Sequence, residues 1–513
     1  MAVIMLGLDG MNLNLLEYCK DDMKNLSDLL NESAYSTAKS IFPALSGPAW
    51  VSILTGQGVG THGFLNSFFY DKDMKVKINN PDEVIEEHFY EAISKLGEKI
   101  FLMDVPFSTS KNIPGDFLDS YFSNKSKDEL IVPPNLVEKF VSIKNYVNYK
   151  KKSKNINDYL RSFKDIVLSN GQIIKDVVNS KEYGFMFFQI TVADWIQHKA
   201  LVDIKHNRNT QKAQISREVL CELDKLIGWI KSQLNKDDHL VIFSDHGGAE
   251  LDGTFFINTW LKKNGFLKIK KNQNNRGSND LKDNVKNFKN VAIQKITKFA
   301  KTNRILLNLA KPIHRKLRKF IGKDVSSIDE IDHNNSKAVC LIKNIPIIKI
   351  FEQDLEKKNN IRDELVNKIN NDLGFKVTDI LEYYGCLDCD ENTKNKLRKF
   401  GDLVVDIGNY ELDVFLGNKV FLKGESMFHD ENAIFIANGP KIKPGKIEED
   451  VSIVDFCPTI LHLFDIFVPL SKDGKVLDIF KDEFKFSKSI NEKKLERKEN
   501  SSNVEELANQ VDF

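Results

Sequence analysis

The chain has 513 residues, a hydrophobic content of 41% and a formal net charge of +1 at pH 7. This length exceeds the usual range of one domain, so we expect one large domain with insertions, or two domains. The near-zero net charge argues against the whole chain being a polyanion-binding protein. The apolar run at residues 1–8 is too short for a signal peptide or a membrane helix, and no later run reaches membrane-spanning length. We therefore expect a soluble, cytoplasmic protein.

Cysteine usage agrees with that expectation. Only Cys386 and Cys389 form a C-x-x-C pair among the six cysteines, and no second pair completes a zinc site. Free thiols in a reducing compartment are therefore predicted.

The first predicted element is a fully buried strand over residues 2–8, which ends at Asp9-Gly10. In an open α/β sheet, ligands bind at the carboxyl ends of the strands. Asp9 is therefore a candidate metal-site or phosphate-site residue, although Asp-Gly is also a common turn pair.

The next notable stretch, residues 42–50, reads FPALSGPAW and precedes an apolar run. Pro48 is tolerated in the first turn of a helix, which places Ser46 at the helix entrance. Free backbone N–H groups and the helix dipole favour negative charge at that position. Ser46 is a candidate nucleophile, and the alternative is an ordinary N-cap serine. His62, in the glycine-rich loop that follows, is expected to be structural.

Two further buried strands are predicted over residues 183–191 and 239–244, and polar clusters follow both. Asp194 and His198 stand four residues apart, so on a helix they share one face and could bind one divalent ion. Asp245 and His246 directly follow the second strand. Three strand ends with aspartate or aspartate–histidine clusters make chance a poor explanation and favour a functional site.

The second half of the chain contains a strongly basic segment. Residues 261–324 hold nineteen Lys or Arg against three Asp or Glu, with helical apolar spacing over 285–321. A basic amphipathic helix can lie on an anionic membrane or bind a polyanion, and the alternative is a solvated helical insert. Beyond it, His429 is predicted in a loop beside a strand over residues 433–437. The tail after about residue 484 is charged and poor in apolar residues.

The order of these residues resembles the alkaline phosphatase superfamily, and within it the type I phosphodiesterase/nucleotide pyrophosphatase branch. Supporting stretches are 46–50, 55–63, 256–261, 435–440 and 455–461. The resemblance implies an α/β fold, with a central mostly parallel β-sheet flanked by helices on both faces. It also implies a discontinuous metallohydrolase domain over 1–482, with a basic cap or insert at about 262–330, and a charged C-terminal tail over 483–513.

The resemblance further implies two divalent metal ions, usually zinc, with manganese also compatible with these ligands. Residue by residue, one ion would be held by Asp9, Ser46, Asp245 and His246. The other ion would be held by Asp194, His198 and His429. Ser46 would attack phosphorus and form a phosphoserine intermediate.

Two departures from related families bear on the substrate. Formylglycine sulfatases need an arginine four residues after the nucleophile, and Trp50 stands there instead. Nucleotide pyrophosphatases place an asparagine beside the phosphoryl oxygen. That register holds Ser67 here, with Asn66 one residue earlier, so both are candidate substrate-binding residues.

The leading hypothesis is a phosphodiesterase or nucleotide pyrophosphatase that acts on a small phosphoester, with a nucleotide or a lipid headgroup as candidate substrates. One alternative is a phosphomonoesterase or phospho-group transferase on the same site. Another is an anionic membrane- or polyanion-binding protein with a vestigial site. No specific nucleic-acid motif is present.

Overall fold

A computed structural model describes residues 1–71, 74–78, 87–108, 113–120, 130–146, 153, 155–270, 331–469 and 472–485. The helix predicted over 285–321 and nearly all of the C-terminal tail lie outside these residues. The strands are β1 (Val3–Leu8), β2 (Ala34–Lys39), β3 (Phe68–Tyr70), β4 (Val76–Ile78), β5 (Ile100–Met103), β6 (Asp116–Leu118), β7 (Ile131–Val132), β8 (Phe185–Ile190), β9 (His239–Phe243), β10 (Gly247–Phe256), β11 (Ala338–Cys340), β12 (Ile347–Ile350), β13 (Lys376–Asp379), β14 (Leu403–Asp406), β15 (Glu411–Asp413), β16 (Phe421–Asp430), β17 (Asn432–Asn438), β18 (Gly445–Lys446) and β19 (Val451–Ser452).

The α-helices are α1 (Leu13–Tyr18), α2 (Lys24–Leu30), α3 (Ser46–Thr55), α4 (Val59–His62), α5 (Phe89–Lys95), α6 (Leu136–Lys139), α7 (Ile156–Ser180), α8 (Val192–Lys205), α9 (Gln211–Ser232), α10 (Ile257–Lys263), α11 (Leu355–Leu373), α12 (Ile380–Tyr383), α13 (Glu391–Arg398) and α14 (Phe456–Leu463). Within the described ranges, three short 3-10 helices cover Val141–Asn145, Ile453–Asp455 and Asp482–Phe484. Among the described helices, none is both long and apolar enough to cross a membrane.

The largest sheet has the strand order β18-β2-β17-β9-β1-β8-β5-β6-β7, with β19 also paired to β2. Strands β9, β1, β8, β5 and β6 run parallel to one another. Strand β17 runs antiparallel to both β9 and β2, so β2 has the same direction as β9. The predicted fold class, a mostly parallel central sheet, is confirmed.

The buried strands explain why helices cover both faces of this sheet. In β8, Phe185 and Phe187 point into a core shared with α3, α5 and α14. Met186, Phe188 and Ile190 point into a second core shared with α1, α2, α7, α8 and α9. Because successive side chains of a strand alternate between faces, an all-apolar strand needs a helix layer on each side.

A third core lies outside the central sheet. The four-stranded sheet β11-β12-β14-β13 and helices α10 to α13 surround it, together with the three-stranded sheet β15-β10-β16. The described chain leaves this unit after Lys270 and returns at Ile331, and an antiparallel bridge joins Ile269 to Ile331. The two ends of the segment between them therefore lie side by side.

The prediction of free thiols is wrong for one pair. Cys386 and Cys389 form a disulfide bond, because the turn between α12 and α13 brings their Cα atoms to 4.9 Å. The remaining cysteines, Cys19, Cys221, Cys340 and Cys457, carry free thiols.

Candidate active site

The candidate site lies at one edge of the central sheet, where several strands end. Asp9 follows β1, Asp245 and His246 follow β9, and Asp194 lies in the first turn of α8, just after β8. These three strands are parallel neighbours, so their carboxyl ends share one edge. Ser46 follows β2, which ends at the same edge, and His429 precedes the antiparallel β17. All seven predicted metal-site residues are thus brought to one place.

Ser46 is the first residue of α3, with Leu45 as the N-cap. Pro48 and Ala49 in the first turn are buried, while Ser46 is half-buried and keeps access to the edge of the sheet. The first N–H groups of a helix have no preceding helical carbonyl to bond, so they are available to an anion. The Ser46 Oγ lies 3.0 Å from His246 Nε2.

A first group of ligand-type atoms surrounds His246. Its Nε2 lies 3.6 Å from Asp9 Oδ1 and 3.4 Å from Asp245 Oδ2. These three residues are at most 1% exposed. Asp9 Oδ1 and Asp245 Oδ2 are buried and have no hydrogen-bond partner among the described residues. Two unpaired carboxylate oxygens beside one imidazole nitrogen form a donor set that suits a divalent cation.

A second group forms a small triangle. Asp194 Oδ1 lies 3.2 Å from both His198 Nε2 and His429 Nε2, and the two nitrogens are 3.0 Å apart. Tetrahedral metal sites with bonds of about 2.0–2.1 Å hold their ligand atoms about 3.3 Å apart. The triangle therefore has the spacing of three ligands to one ion. The rings of His246 and His429 stack with centroids 3.7 Å apart, which puts the two groups side by side.

Backbone carbonyls fix the tautomers of two of these histidines. His246 Nδ1 lies 2.9 Å from the carbonyl oxygen of Gly247, and His429 Nδ1 lies 2.8 Å from that of Ala44. A carbonyl only accepts, so each Nδ1 carries the proton, and in the neutral ring Nε2 presents a lone pair. This is the arrangement in which histidine binds a metal through Nε2.

Three carboxylates lie close together in a buried space, and this changes the pKa values of the site residues. Burial raises the pKa of Asp9 well above its usual value, and the nearby charges of Asp245 and Asp194 raise it further. For Asp194, burial also raises the pKa, but the contacts with His198 and His429 outweigh it and hold the pKa below the usual range. Burial lowers the pKa of His246, which favours the neutral ring. Such a cluster calls for added positive charge, which divalent ions would supply.

One predicted site residue lies in a different element from the one expected. His429 lies in strand β16 and not in a loop, because β16 pairs along its length with β10. Asn66 and Ser67 follow α4 and are half-buried, and the Asn66 amide donates to the Phe68 carbonyl at 3.0 Å. Their contact with substrate stays a prediction.

One residue near the site was missed at the sequence level. Gln189, in β8, donates from Nε2 to Asp9 Oδ2 at 3.1 Å and is 1% exposed. The available signal was its position: it is the one polar residue in the strand Phe185–Ile190. A buried polar side chain in an apolar strand needs a partner, and that partner is a neighbouring strand-end aspartate.

Comparison with known proteins supplies the family. A model of the family "Type I phosphodiesterase / nucleotide pyrophosphatase" matches residues 3–326. No curated protein matches the chain.

Several solved structures share the fold at low identity. Murine ectonucleotide pyrophosphatase/phosphodiesterase 5 is 13% identical, with a TM-score of 0.51, over 94% of this chain and 100% of its own. Phosphonoacetate hydrolase from Sinorhizobium meliloti 1021, in complex with phosphonoformate, is 12% identical, with a TM-score of 0.52, over 89% and 94%. A variant of the alkaline phosphatase PafA is 13% identical, with a TM-score of 0.50, over 94% and 99%.

At these identities the structural matches support the fold alone, whereas the family model covers more than half of the chain. The chain belongs to the type I phosphodiesterase / nucleotide pyrophosphatase family and is a hydrolase of phosphoric ester bonds.

Proposed function

We propose that the protein is a phosphodiesterase that uses Ser46 as nucleophile and two divalent ions as cofactors. The observation that carries the proposal is the triangle of Asp194, His198 and His429. Its three ligand atoms lie within 3.2 Å of one another, beside the cluster of Asp9, Asp245 and His246. Imidazole nitrogens and carboxylate oxygens suit zinc, and manganese is the second choice.

The residues present fit two ions. Asp9, Asp245, His246 and Ser46 would hold one, and Asp194, His198 and His429 the other. Buried carboxylate oxygens without hydrogen bonds are costly, and a cation offsets that cost. When bound, the ions neutralise charge on the phosphoryl group and lower the pKa of the attacking hydroxyl.

In the proposed reaction, Ser46 Oγ forms a bond to phosphorus while the bond from phosphorus to the leaving oxygen breaks. The leaving group takes up the proton that the Ser46 hydroxyl gives up and departs as an alcohol or a phosphate. Ser46 becomes a phosphoserine whose phosphate still carries the second ester group. Water then hydrolyses this ester, restores the Ser46 hydroxyl and releases the monoester. Because Ser46 begins α3, the dipole and first N–H groups of this helix would face the phosphoryl oxygens and favour their negative charge.

A preference for diesters is supported by where the described arginine side chains lie. The second charge of a monoester dianion calls for an additional cation, and arginine is the usual choice. The described arginines each pair with a carboxylate outside the seven-residue site; they are Arg161, Arg208, Arg217, Arg362 and Arg398.

A direct test compares bis-nitrophenyl phosphate with nitrophenyl phosphate, using the full chain loaded with Zn²⁺ or Mn²⁺. We expect faster hydrolysis of the diester, and loss of both activities with a chelator. If neither ester is hydrolysed at two bound ions per chain, the proposal is wrong. Faster hydrolysis of the monoester would favour the phosphomonoesterase alternative.

We also propose that the basic segment 262–330 attracts anionic surfaces or substrates. Its charge supports this, and its ends are joined at the bridge between Ile269 and Ile331. Residues 271–330 can therefore be replaced by a short Gly-Ser linker. Sedimentation with phosphatidylserine vesicles at low and high salt tests the proposal. We expect salt-sensitive binding of the full chain that the shortened chain lacks.

A further inference from the structure

A buried glutamine beside the candidate metal site has no role in the reaction described above. Gln189 lies on the face of β8 that also presents Phe185 and Phe187, toward the core under α3. An amide buried at such a position without a hydrogen-bond partner destabilises the folded state. Its presence there therefore calls for a specific partner.

The hydrogen bonds of Gln189 fix the orientation of its amide. Nε2 lies 3.1 Å from Asp9 Oδ2 and 3.0 Å from Thr191 Oγ1. Thr191 Oγ1 in turn donates to Gln189 Oε1 at 3.1 Å. The opposite flip would set Oε1 against a carboxylate oxygen, which cannot donate when ionised. The N–H group therefore faces Asp9.

Because of this contact, the two carboxylate oxygens of Asp9 have different surroundings. Oδ2 accepts from Gln189, whereas Oδ1 has no hydrogen-bond partner within the described part of the chain and is the oxygen nearest His246 Nε2, at 3.6 Å. Without the amide, the carboxylate could rotate about its Cβ–Cγ bond. Outer partners that hold a ligand in this way are a general feature of metal sites.

We propose that Gln189 is a positioning residue. It holds the Asp9 carboxylate in the orientation in which Oδ1 binds the ion shared with Asp245 and His246. The inference rests on the proposed function, because it assumes that Asp9 is a metal ligand. It also makes a site-specific claim: the ion at Asp194, His198 and His429 should not depend on Gln189.

The test measures Zn²⁺ affinity by competition with a chromophoric chelator, using the full chain in two single-site backgrounds. His198→Ala leaves the ion at Asp9, and Asp245→Ala leaves the ion at Asp194. Gln189→Met is then added to each, because methionine keeps the length of glutamine but cannot donate. Phe188→Leu, on the opposite face of the same strand, controls for general disturbance of β8.

We expect Gln189→Met to weaken Zn²⁺ binding about 10- to 100-fold in the His198→Ala background. In the Asp245→Ala background we expect no change. Phe188→Leu should lower thermal stability without changing either affinity. Equal weakening in both backgrounds, or no weakening in either, would overturn the inference.

Two further measurements keep the test decisive. If Gln189→Met does not fold, Thr191→Val removes the hydroxyl that fixes the amide, and we expect about 2- to 10-fold weaker binding at the Asp9 ion alone. An unchanged affinity would count against the inference.

The unsubstituted chain is measured in parallel. If it fails to bind two ions or to cleave the diester, the proposed function fails; if it does both and Gln189→Met is normal, only this inference fails.

Discussion

His429 Nδ1 donates a hydrogen bond to the carbonyl oxygen of Ala44, at 2.8 Å. Ala44 lies two residues before Ser46, and the other nitrogen of the same ring lies 3.2 Å from Asp194 Oδ1. One imidazole therefore joins the loop that carries the proposed nucleophile to the ligand triangle. The position of Ser46 and the integrity of that triangle are physically coupled.

This coupling predicts different effects for two substitutions in the same triangle. His198→Ala and His429→Ala each remove one proposed ligand, so both should lower metal occupancy. Only His429→Ala also releases Ala44, and a lost hydrogen bond of about 1 kcal/mol corresponds to a further loss of about fivefold. We expect kcat at saturating Zn²⁺ to be lower by that factor in His429→Ala than in His198→Ala. Equal values of kcat would contradict the coupling.

Replacing the proposed nucleophile should separate chemistry from metal binding. Ser46→Ala should lower kcat for a nitrophenyl diester by about 10³-fold or more, because the phosphoserine cannot form. Metal content, measured by elemental analysis, should stay near that of the unsubstituted chain, since the six other ligands remain. Ser52→Ala is the matched control, because Ser52 lies in the same helix and its hydroxyl contacts His62 instead. Ser52→Ala should keep its activity, and a chain with Ser46→Ala that still turns over would refute the assignment.

Much of the central sheet could be predicted because its strands are buried on both faces. Runs such as residues 183–191 and 239–244 are short, apolar and bounded by polar residues, which is typical of buried parallel strands. The strand ends then placed Asp9, Asp194 and Asp245 at one edge. The seven residues converge at that edge, although no single motif contains more than two or three of them.

The parts that could not be predicted depend on pairings between distant segments. Strands β10 and β16 form a long antiparallel pair from residues about 170 positions apart. Gly247, Gly248 and Gly253 lie in β10, and glycines are more typical of a loop than of a strand, so the sequence pattern does not indicate this strand. Gly253 has a φ of +147° at the register shift of this pair, a backbone conformation that favours glycine. The Gln189–Asp9 contact likewise arises only once β8 lies beside β1.

A residue of the third core region contacts the loop that precedes Ser46, and this contact can be tested. The Tyr384 hydroxyl donates a hydrogen bond to the carbonyl oxygen of Phe42 at 2.8 Å, and Phe42 lies four residues before Ser46. Its neighbour Tyr383 contacts the Phe42 ring at 5.3 Å between centroids. Tyr384→Phe should lower kcat about two- to tenfold, because it frees the loop at a cost of about 1 kcal/mol.

Tyr383→Phe is the matched control, since it keeps the aromatic contact and should leave kcat unchanged. The comparison is made at equal metal occupancy, with kcat and KM measured separately for the diester. A Tyr384→Phe chain that loses only thermal stability, with kcat intact, would show that this hydroxyl does not position the loop.

The last prediction concerns His62, whose expected structural role can be tested through pH. His62 is 4% exposed, and its Nδ1 accepts a hydrogen bond from the Phe64 N–H at 2.9 Å. Nε2 lies 2.9 Å from Ser52 Oγ, so the neutral ring donates there. Burial, together with the positive charge of Lys396, lowers the pKa of His62 from 6.5 to about 3.

The sign of the effect follows from where the proton binds. Between pH 6.5 and about 3 the unfolded chain protonates this histidine and the folded chain does not, so folding is opposed increasingly as the pH falls. The free energy of unfolding should therefore decrease by up to about 1.4 kcal/mol for each unit below pH 6.5. His62→Gln removes this titration but keeps a donor and an acceptor. The free energy of unfolding of both chains is measured with urea between pH 7.5 and 4.5. We expect the difference between the two free energies to narrow as the pH falls, because only the unsubstituted chain loses this contribution. If the two free energies change in parallel with pH, His62 is protonated in the folded protein.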